Sequence, residues 1–291
     1  MEKGFRQTLA ERQEKVNSLV CVGLDPLEEK IPESIQGVPW YRVSFQMKQI
    51  VDATAPFACM YKPQRAHYEA IPDGQKALRE IVDHVHEKYP DIPVLLDCKR
   101  GDIDRTQKQY GIAHLVIDGV DGMNFTPYMG KDCLKDLIDP RRPGRALVGV
   151  CYTSNPAARQ TQDIKLADGR QYWEFMAETI LQWAEELGVV ADAGLVIAAA
   201  YEVKKGSGEI FSWHLTRCRE IVGDKLWFLI PGVGTQGGFI RQTVKAAYTV
   251  PGSVAINSSS AITFASMGKD FAEAAGREAK KLRDQINEAR V

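Results

Sequence analysis

A closed eightfold β/α barrel (TIM barrel) with one extra helix at its N-terminus is the fold this sequence predicts, and three observations predict it. Eight short apolar runs recur along the chain, helical patterns follow them, and several runs stop abruptly at charged or polar residues. The runs are continuous rather than alternating, as strands buried on both faces of a parallel sheet must be. At 291 residues the chain has the length for one such barrel, which takes roughly 250 residues. No linker, low-complexity tract or shift in composition divides residues 1–291, so a single domain is expected.

The chain opens with a charged, helically patterned segment, MEKGFRQTLAERQEKVNS, which lacks the apolar stretch of a signal peptide. Residues 19–24 (LVCVGL) form the first expected strand, ending in Asp25 and Pro26, and residues 27–41, with two prolines and a glycine, read as a loop. A helix over 42–54 leads to a second strand over 57–61, which ends in Lys62 and Pro63. Over 72–89, Leu78, Ile81, Val82 and Val85 share one helical face opposite charged residues. His84 and His86, two apart on that helix, point in different directions and read as solvated rather than as metal ligands.

The third strand lies in PVLLDCKRGDIDRT (93–106), and its helix runs to about residue 119. GMNFTPYMG supplies the fourth strand and turn, followed by a short helix to 138, and RALVGVCYTSNP the fifth strand with a polar end. Residues 155–170 are loop-like, and the helix over 172–187 carries Trp173, Phe175, Met176, Ile180 and Trp183 as core aromatics and aliphatics. Strands over 193–200, 227–230 and 253–256 complete the eight, and a final helix spans 268–289.

Composition narrows the partners. Charged residues are 26% and apolar residues 44%, ordinary for a globular protein, and the formal net charge of -1 offers nothing to nucleic acid or an anionic membrane. The longest apolar run, near 193–201, is far short of a membrane span. Six scattered cysteines (Cys21, Cys59, Cys98, Cys133, Cys151, Cys218) without a CxxC pair suit a reducing compartment, so a cytoplasmic location is expected.

Chemistry concentrates at the end of the third strand. Asp97 and Lys99 are two apart, so on a strand they share a face, while Cys98 between them points away. Gly101 permits a turn, Asp102 stands where a helix would begin, and Thr106 lies one turn on. Asp102 alone also reads as a helix N-cap and Lys99 alone as a solvated strand end. An acid, a base and an acid closing an apolar strand nevertheless place charge where an ordinary core strand carries turn residues. In a β/α barrel the functional residues sit at the C-terminal strand ends. Those ends carry Asp25, Lys62, Asp97 with Lys99 and Asp102, Asn124, Ser154, the glycine-rich PGVGTQGG loop and the NSSSAI loop. The glycine-rich loop leads into a helix and offers backbone N–H groups to a phosphate.

The segment D-x-K-x-x-D-I-x-x-T, here Asp97, Lys99, Asp102, Ile103 and Thr106, resembles the signature of the orotidine 5'-phosphate decarboxylase family, in its longer bacterial branch. The resemblance extends over nearly the whole chain: VGLDP, YKPQ, TSNP and PGVGTQGG resemble the family's first, second, fifth and seventh strand ends. It implies that Asp25 contacts the ribose, that Lys62 holds a ribose hydroxyl and Asp97, and that Ser154 binds the pyrimidine. It also implies that Gln236 reaches toward the phosphate, that backbone of Val233, Gly234 and Thr235 supplies further donors, and that Pro231 belongs to the substrate site. Lys99 is then the cation aimed at C6 and the proton donor, with Asp97 and Asp102 keeping it protonated. Asn124 joins the substrate site at a position where the family often has threonine. Asp102, Ile103 and Thr106 reach the neighbouring subunit's site, which implies a homodimer. No metal and no organic cofactor are implied.

One departure stands out. The longer branch reads N-S-S-R-x-I after the eighth strand, and here Ser260 takes the arginine's place, with Arg241 as a candidate replacement. A serine hydroxyl gives a phosphate one neutral hydrogen bond instead of a charge-assisted fork. Two other readings remain open on the sequence. One is a Mg2+-dependent phosphosugar lyase or decarboxylase of the same superfamily, whose second strand ends in an acid where this chain has Lys62. The other is a nucleotide-binding relative without turnover, motivated by Ser260.

Overall fold

The computed structural model describes residues 3–204, 206–233 and 239–290. Eight parallel strands, Val20–Leu24, Met60–Pro63, Leu95–Arg100, Gly122–Phe125, Ala146–Tyr152, Gly194–Ile197, Trp227–Ile230 and Val254–Ser258, pair in sequence order, with the eighth beside the first. Parallel bridges Tyr61 to Val94 and Gln64 to Asp97 join the second strand to the third and close the barrel. Most of these strands are wholly buried, as their unbroken apolar runs require.

The eight strands fall where the apolar runs place them, with one shift that matters. The second strand is Met60–Pro63 rather than 57–61, because Phe57 and Ala58 still bond back to the Thr54 carbonyl as the preceding helix unwinds. Lys62 is therefore a strand residue, not the first residue beyond it. The helix Pro39–Thr54 starts inside the expected loop, with Pro39 in its first turn, where no N–H is needed. A short helix, Arg65–Glu69, and a two-stranded ribbon, Tyr201–Glu202 with Ile210–Phe211, carry no periodicity long enough to be read from sequence. The helix after the third strand, Asp104–Gly111, continues as a π-helical stretch, Ile112–Ile117. The two histidines are only partly solvated, each paired with an acid: His84 meets Asp52 at 2.7 Å and His86 meets Asp121 at 2.9 Å, both part-buried.

Two apolar cores result. One lies between the barrel and its helices. The other fills the barrel's lower interior with inward residues such as Leu95, Val148, Trp227 and Leu229, and is sealed by Phe5 and Leu9 of the N-terminal helix Phe5–Val16. Phe5 stacks on Trp227 with ring centroids 5.4 Å apart. Gln13 ties the same helix to the eighth strand, donating to the Val254 carbonyl at 2.7 Å and accepting from Gly252 N–H at 2.7 Å. With one end plugged, the opposite end, where the strands finish, is free for chemistry.

Candidate active site

At that open end the first three strand ends bring four charged groups into a row. Lys62 Nζ donates to Asp97 Oδ2 at 3.1 Å and lies 3.9 Å from Asp25 Oδ1, while Lys99 Nζ donates to Asp97 Oδ1 at 2.5 Å. Acid, base, acid, base is the order, from Asp25 through Lys62 and Asp97 to Lys99. The side chain of Lys62 is only 4% exposed and that of Asp97 13%, whereas Lys99 at 46% reaches into the mouth. Burial alone would raise the Asp97 pKa, but the ammonium groups of Lys62 and Lys99 and hydrogen bonds from Lys99 and Asn124 hold it well below the usual carboxylate range. Burial would likewise lower Lys62, and Asp25 and Asp97 outweigh it, so its ammonium is held above the usual lysine range. Two buried charges are kept ionised by each other, and one exposed ammonium is left at the end of the row.

The local backbone explains how Asp97 and Lys99 meet. Pairing between the third and fourth strands jumps from Leu96 opposite Met123 to Arg100 opposite Phe125, so Asp97, Cys98 and Lys99 together face Asn124. Lys99 sits at φ 46°, a left-handed conformation that costs a non-glycine residue roughly 1–2 kcal/mol. A regular strand is thus the wrong reason for a correct neighbourhood. The two side chains share a face because the strand bulges. Asn124, fully buried, accepts from the N–H groups of Cys98 (2.8 Å) and Lys99 (2.7 Å) and donates to Asp97 Oδ1 at 2.7 Å. Cys98 does turn away from the mouth, donating to the Asn124 carbonyl, and burial pushes its thiol up to about 12.

Asp102 is not the N-cap. The helix begins at Asp104 with Ile103 as cap residue, and the Asp102 carboxylate accepts from Ile103 N–H at 2.8 Å, while buried Gln107 accepts from Asp102 N–H at 3.1 Å. Among the described residues, Lys99 forms an ion pair with Asp97 and none with Asp102. Ile103 and Thr106 are exposed beside Asp102.

The other strand ends converge less tightly. Asp25 accepts from Gln64 N–H at 3.1 Å. Ser154 is exposed, and its Oγ lies 4.0 Å from where a Cβ on Gly232 would stand, so the fifth and seventh strand ends face each other. Pro231 is half-buried and Val233 buried, while Gly234, Thr235 and Gln236 lie outside the described residues. Ser260 is exposed at the first position of the short helix Ser260–Thr263, and Arg241 is exposed in the first turn of Ile240–Ala247. That short helix is pinned to the first strand: Thr263 Oγ1 donates to the Gly23 carbonyl at 2.9 Å, and a Cβ on Gly23 would come within 2.5 Å of Ser259 Cβ. Glycine at 23 is what lets the eighth strand end approach the first.

A partly buried network behind the third strand escaped the sequence reading. Arg65 donates to Asp118 at 2.7 Å, and Arg100 donates to Glu69 (2.8 Å) and to His114 Nε2 (3.2 Å). The acceptor role of Nε2 puts the His114 proton on Nδ1, 3.0 Å from Asp118. It braces Arg100, the residue after Lys99. No short motif marks it, because its members are spread from 65 to 118 in sequence.

The sequence pattern of the orotidine 5'-phosphate decarboxylase / HUMPS family matches residues 18–275. This chain belongs to that family. An orotidine 5'-phosphate decarboxylase of Cupriavidus necator is 37% identical over 287 residues, 98% of each chain, and that of Ralstonia pickettii 38% over 98% of this chain and 99% of its own. Among solved structures, a candidate orotidine-monophosphate-decarboxylase of Toxoplasma gondii superposes with a TM-score of 0.84 at 28% identity, covering 99% of this chain and 96% of the other. The OMP decarboxylase of Leishmania donovani gives 0.77 at 29%, covering 99% and 98%. The decarboxylase family's barrel is the fold found here, with the N-terminal helix added. No described helix is long and apolar enough to cross a membrane.

Proposed function

We propose that this protein converts orotidine 5'-phosphate to UMP, a step of pyrimidine biosynthesis, without a metal or organic cofactor. The observation that carries the proposal is the row Asp25, Lys62, Asp97, Lys99, which ends in an exposed ammonium braced by a buried carboxylate. The C6 to carboxylate bond breaks, CO2 leaves, and the electron pair stays on C6. The Lys99 ammonium stabilises that pair and then gives C6 its proton, and solvent reprotonates the amine. Asp97, ionised between two ammonium groups, fixes Lys99 and keeps it charged, and Lys62 holds a ribose hydroxyl together with Asp25. Ser154 faces the pyrimidine. Pro231 lines the substrate site, and the phosphate is met by Val233 with Gly234 and Gln236, by Ser260, and by Arg241 as the available cation.

The Mg2+-dependent lyase reading is disfavoured by Lys62, a buried ammonium occupying the space between Asp25 and Asp97 where a cation would need an acid. The reading without turnover is disfavoured by the intact ammonium and carboxylate row and by the curated relatives matched end to end. We further propose that residues 1–291 act as one barrel domain, in the cytoplasm, as a homodimer in which Asp102, Ile103 and Thr106 complete the partner's site. The exposure of Ile103 and the absence of an Asp102 to Lys99 pair within one described chain support this.

Loss of orotidylate absorbance with stoichiometric UMP formation is the expected result for purified protein, unaffected by EDTA. Tight UMP binding without turnover would reject the assignment. For the dimer, mixing and re-equilibrating inactive Lys99→Ala and Asp102→Ala proteins should restore about a quarter of wild-type activity, since half the dimers are hybrids with one intact site. No recovery from a mixture shown to exchange subunits would remove the shared site.

A further inference from the structure

We infer that Asn124 is a positioning residue for Lys99, acting on the reaction through the Lys99 backbone and the Asp97 carboxylate rather than by contact with the pyrimidine. The inference rests on the decarboxylase reading above and deepens it. A side chain that merely filled the barrel would need one partner or none. This one makes three hydrogen bonds, all to Asp97, Cys98 and Lys99: two N–H donors at 2.8 and 2.7 Å converge on Oδ1, and Nδ2 reaches Asp97 Oδ1 at 2.7 Å.

The three-against-one mismatch between the third and fourth strands leaves the Cys98 and Lys99 N–H groups without a place in the ladder, and the Asn124 carbonyl supplies it. Asp97 Oδ1, the atom Asn124 holds, is also the atom that receives the Lys99 ammonium. One amide therefore sets both ends of the Lys99 side chain: its left-handed Cα, at φ 46°, and the carboxylate that aims its nitrogen. On the other side, Thr126 Oγ1 donates to the Lys99 carbonyl at 3.2 Å and Thr126 N–H to the Arg100 carbonyl at 2.8 Å. Asn124 of the fourth strand and Thr126 just beyond its end thus clamp the bulge from both sides, with Asn124 the member that touches the acid. Its amide has both the acceptor that the two N–H groups need and the donor that an ionised carboxylate needs. A carboxylate in its place keeps the acceptor and sets a like charge against Asp97 until it is protonated.

The test compares Asn124→Ala and Asn124→Asp with the wild type, whose turnover of orotidylate is measured first so that failure of the decarboxylase reading is seen separately. For Asn124→Ala with unchanged circular dichroism, kcat is expected to fall by more than about tenfold while UMP affinity stays within about threefold. A kcat within about threefold of wild type overturns the inference, and so does a loss of UMP affinity that matches the loss of kcat, which would make Asn124 a substrate contact. Asn124→Asp serves even if the alanine variant fails to fold. At pH 8 it puts an acceptor and a like charge where Asp97 Oδ1 receives a donor, so its kcat should fall by more than about tenfold from wild type while UMP affinity stays within about threefold. A kcat for this variant within about threefold of wild type, or a loss of UMP affinity that matches the loss of kcat, overturns the inference.

Discussion

The two ends of the barrel are built on opposite rules. At the floor, Phe5 and Leu9 cover inward side chains such as Leu95, Val148 and Trp227, and the joints are apolar or satisfied by neutral groups such as Gln13. At the mouth, the strands end in Asp25, Lys62, Asp97 and Lys99, with three of the charges largely buried and one residue in a left-handed conformation. Removing water from apolar surface stabilises at the floor, where each buried large side chain contributes about 1.5–3 kcal/mol. Removing water from charge is unfavourable at the mouth and is tolerated only through mutual pairing. A barrel that keeps its stability at one end is free to hold strain and charge at the other.

The sharpest break between the ends is expected from Lys99→Ala. Turnover should fall by at least about 10^4-fold, since the variant removes both the charge facing C6 and the proton donor. The thermal unfolding midpoint should hardly move, because that side chain is 46% exposed. Near-normal turnover would end the assignment of Lys99.

The mirror image is Phe5→Ala at the floor. It should lower the unfolding free energy by roughly 3–5 kcal/mol through the lost ring and the cavity against Trp227, with kcat of the folded protein preserved. A large fall in kcat at temperatures where the variant is fully folded would show that the two ends are not independent.

The charged row makes a pH prediction of intermediate size. The folded Asp97 pKa lies below its unfolded value of about 3.9, so its contribution to stability is present above that value and lost as pH falls through the folded one. Lys62, held above its unfolded value of about 10.4, contributes fully below that value and loses its contribution only as pH rises through the folded one. Urea denaturation of wild type and Asp97→Asn should therefore differ by a constant amount between about pH 5 and pH 9 and converge only below about pH 4. A gap that already narrows near pH 6 would contradict this pairing.

The smallest expected effect is at the phosphate side of the mouth, where Ser260→Arg should lower KM for orotidylate by about tenfold or more with little change in kcat. No change in KM, together with a marked rise in KM for Arg241→Ala, would identify Arg241 as the cation already serving there.

Much of this was legible in residues 93–106. A continuous apolar run, LL after PV, marked a strand buried on both faces, and the charges after it marked the functional end. The resemblance carried by Asp97, Lys99, Asp102, Ile103 and Thr106 led to the family that the comparisons show. The helix start at Asp104 and the strand shift at Lys62 were missed by two or three residues, because turn geometry at an element's end depends on where the chain must go next.

The sequence alone determined the number and order of the eight barrel strands and the long helices between them, since burial on both faces and helical periodicity are written residue by residue. Only the tertiary structure decided how Lys99 meets Asp97 and why Asn124 matters. A bulge between two strands is a property of their mismatch, and the partners of Asn124 come from residues some 25 positions earlier in the chain. Pattern within a segment reports what a segment buries, whereas strain and hydrogen-bond closure exist only once segments are set side by side.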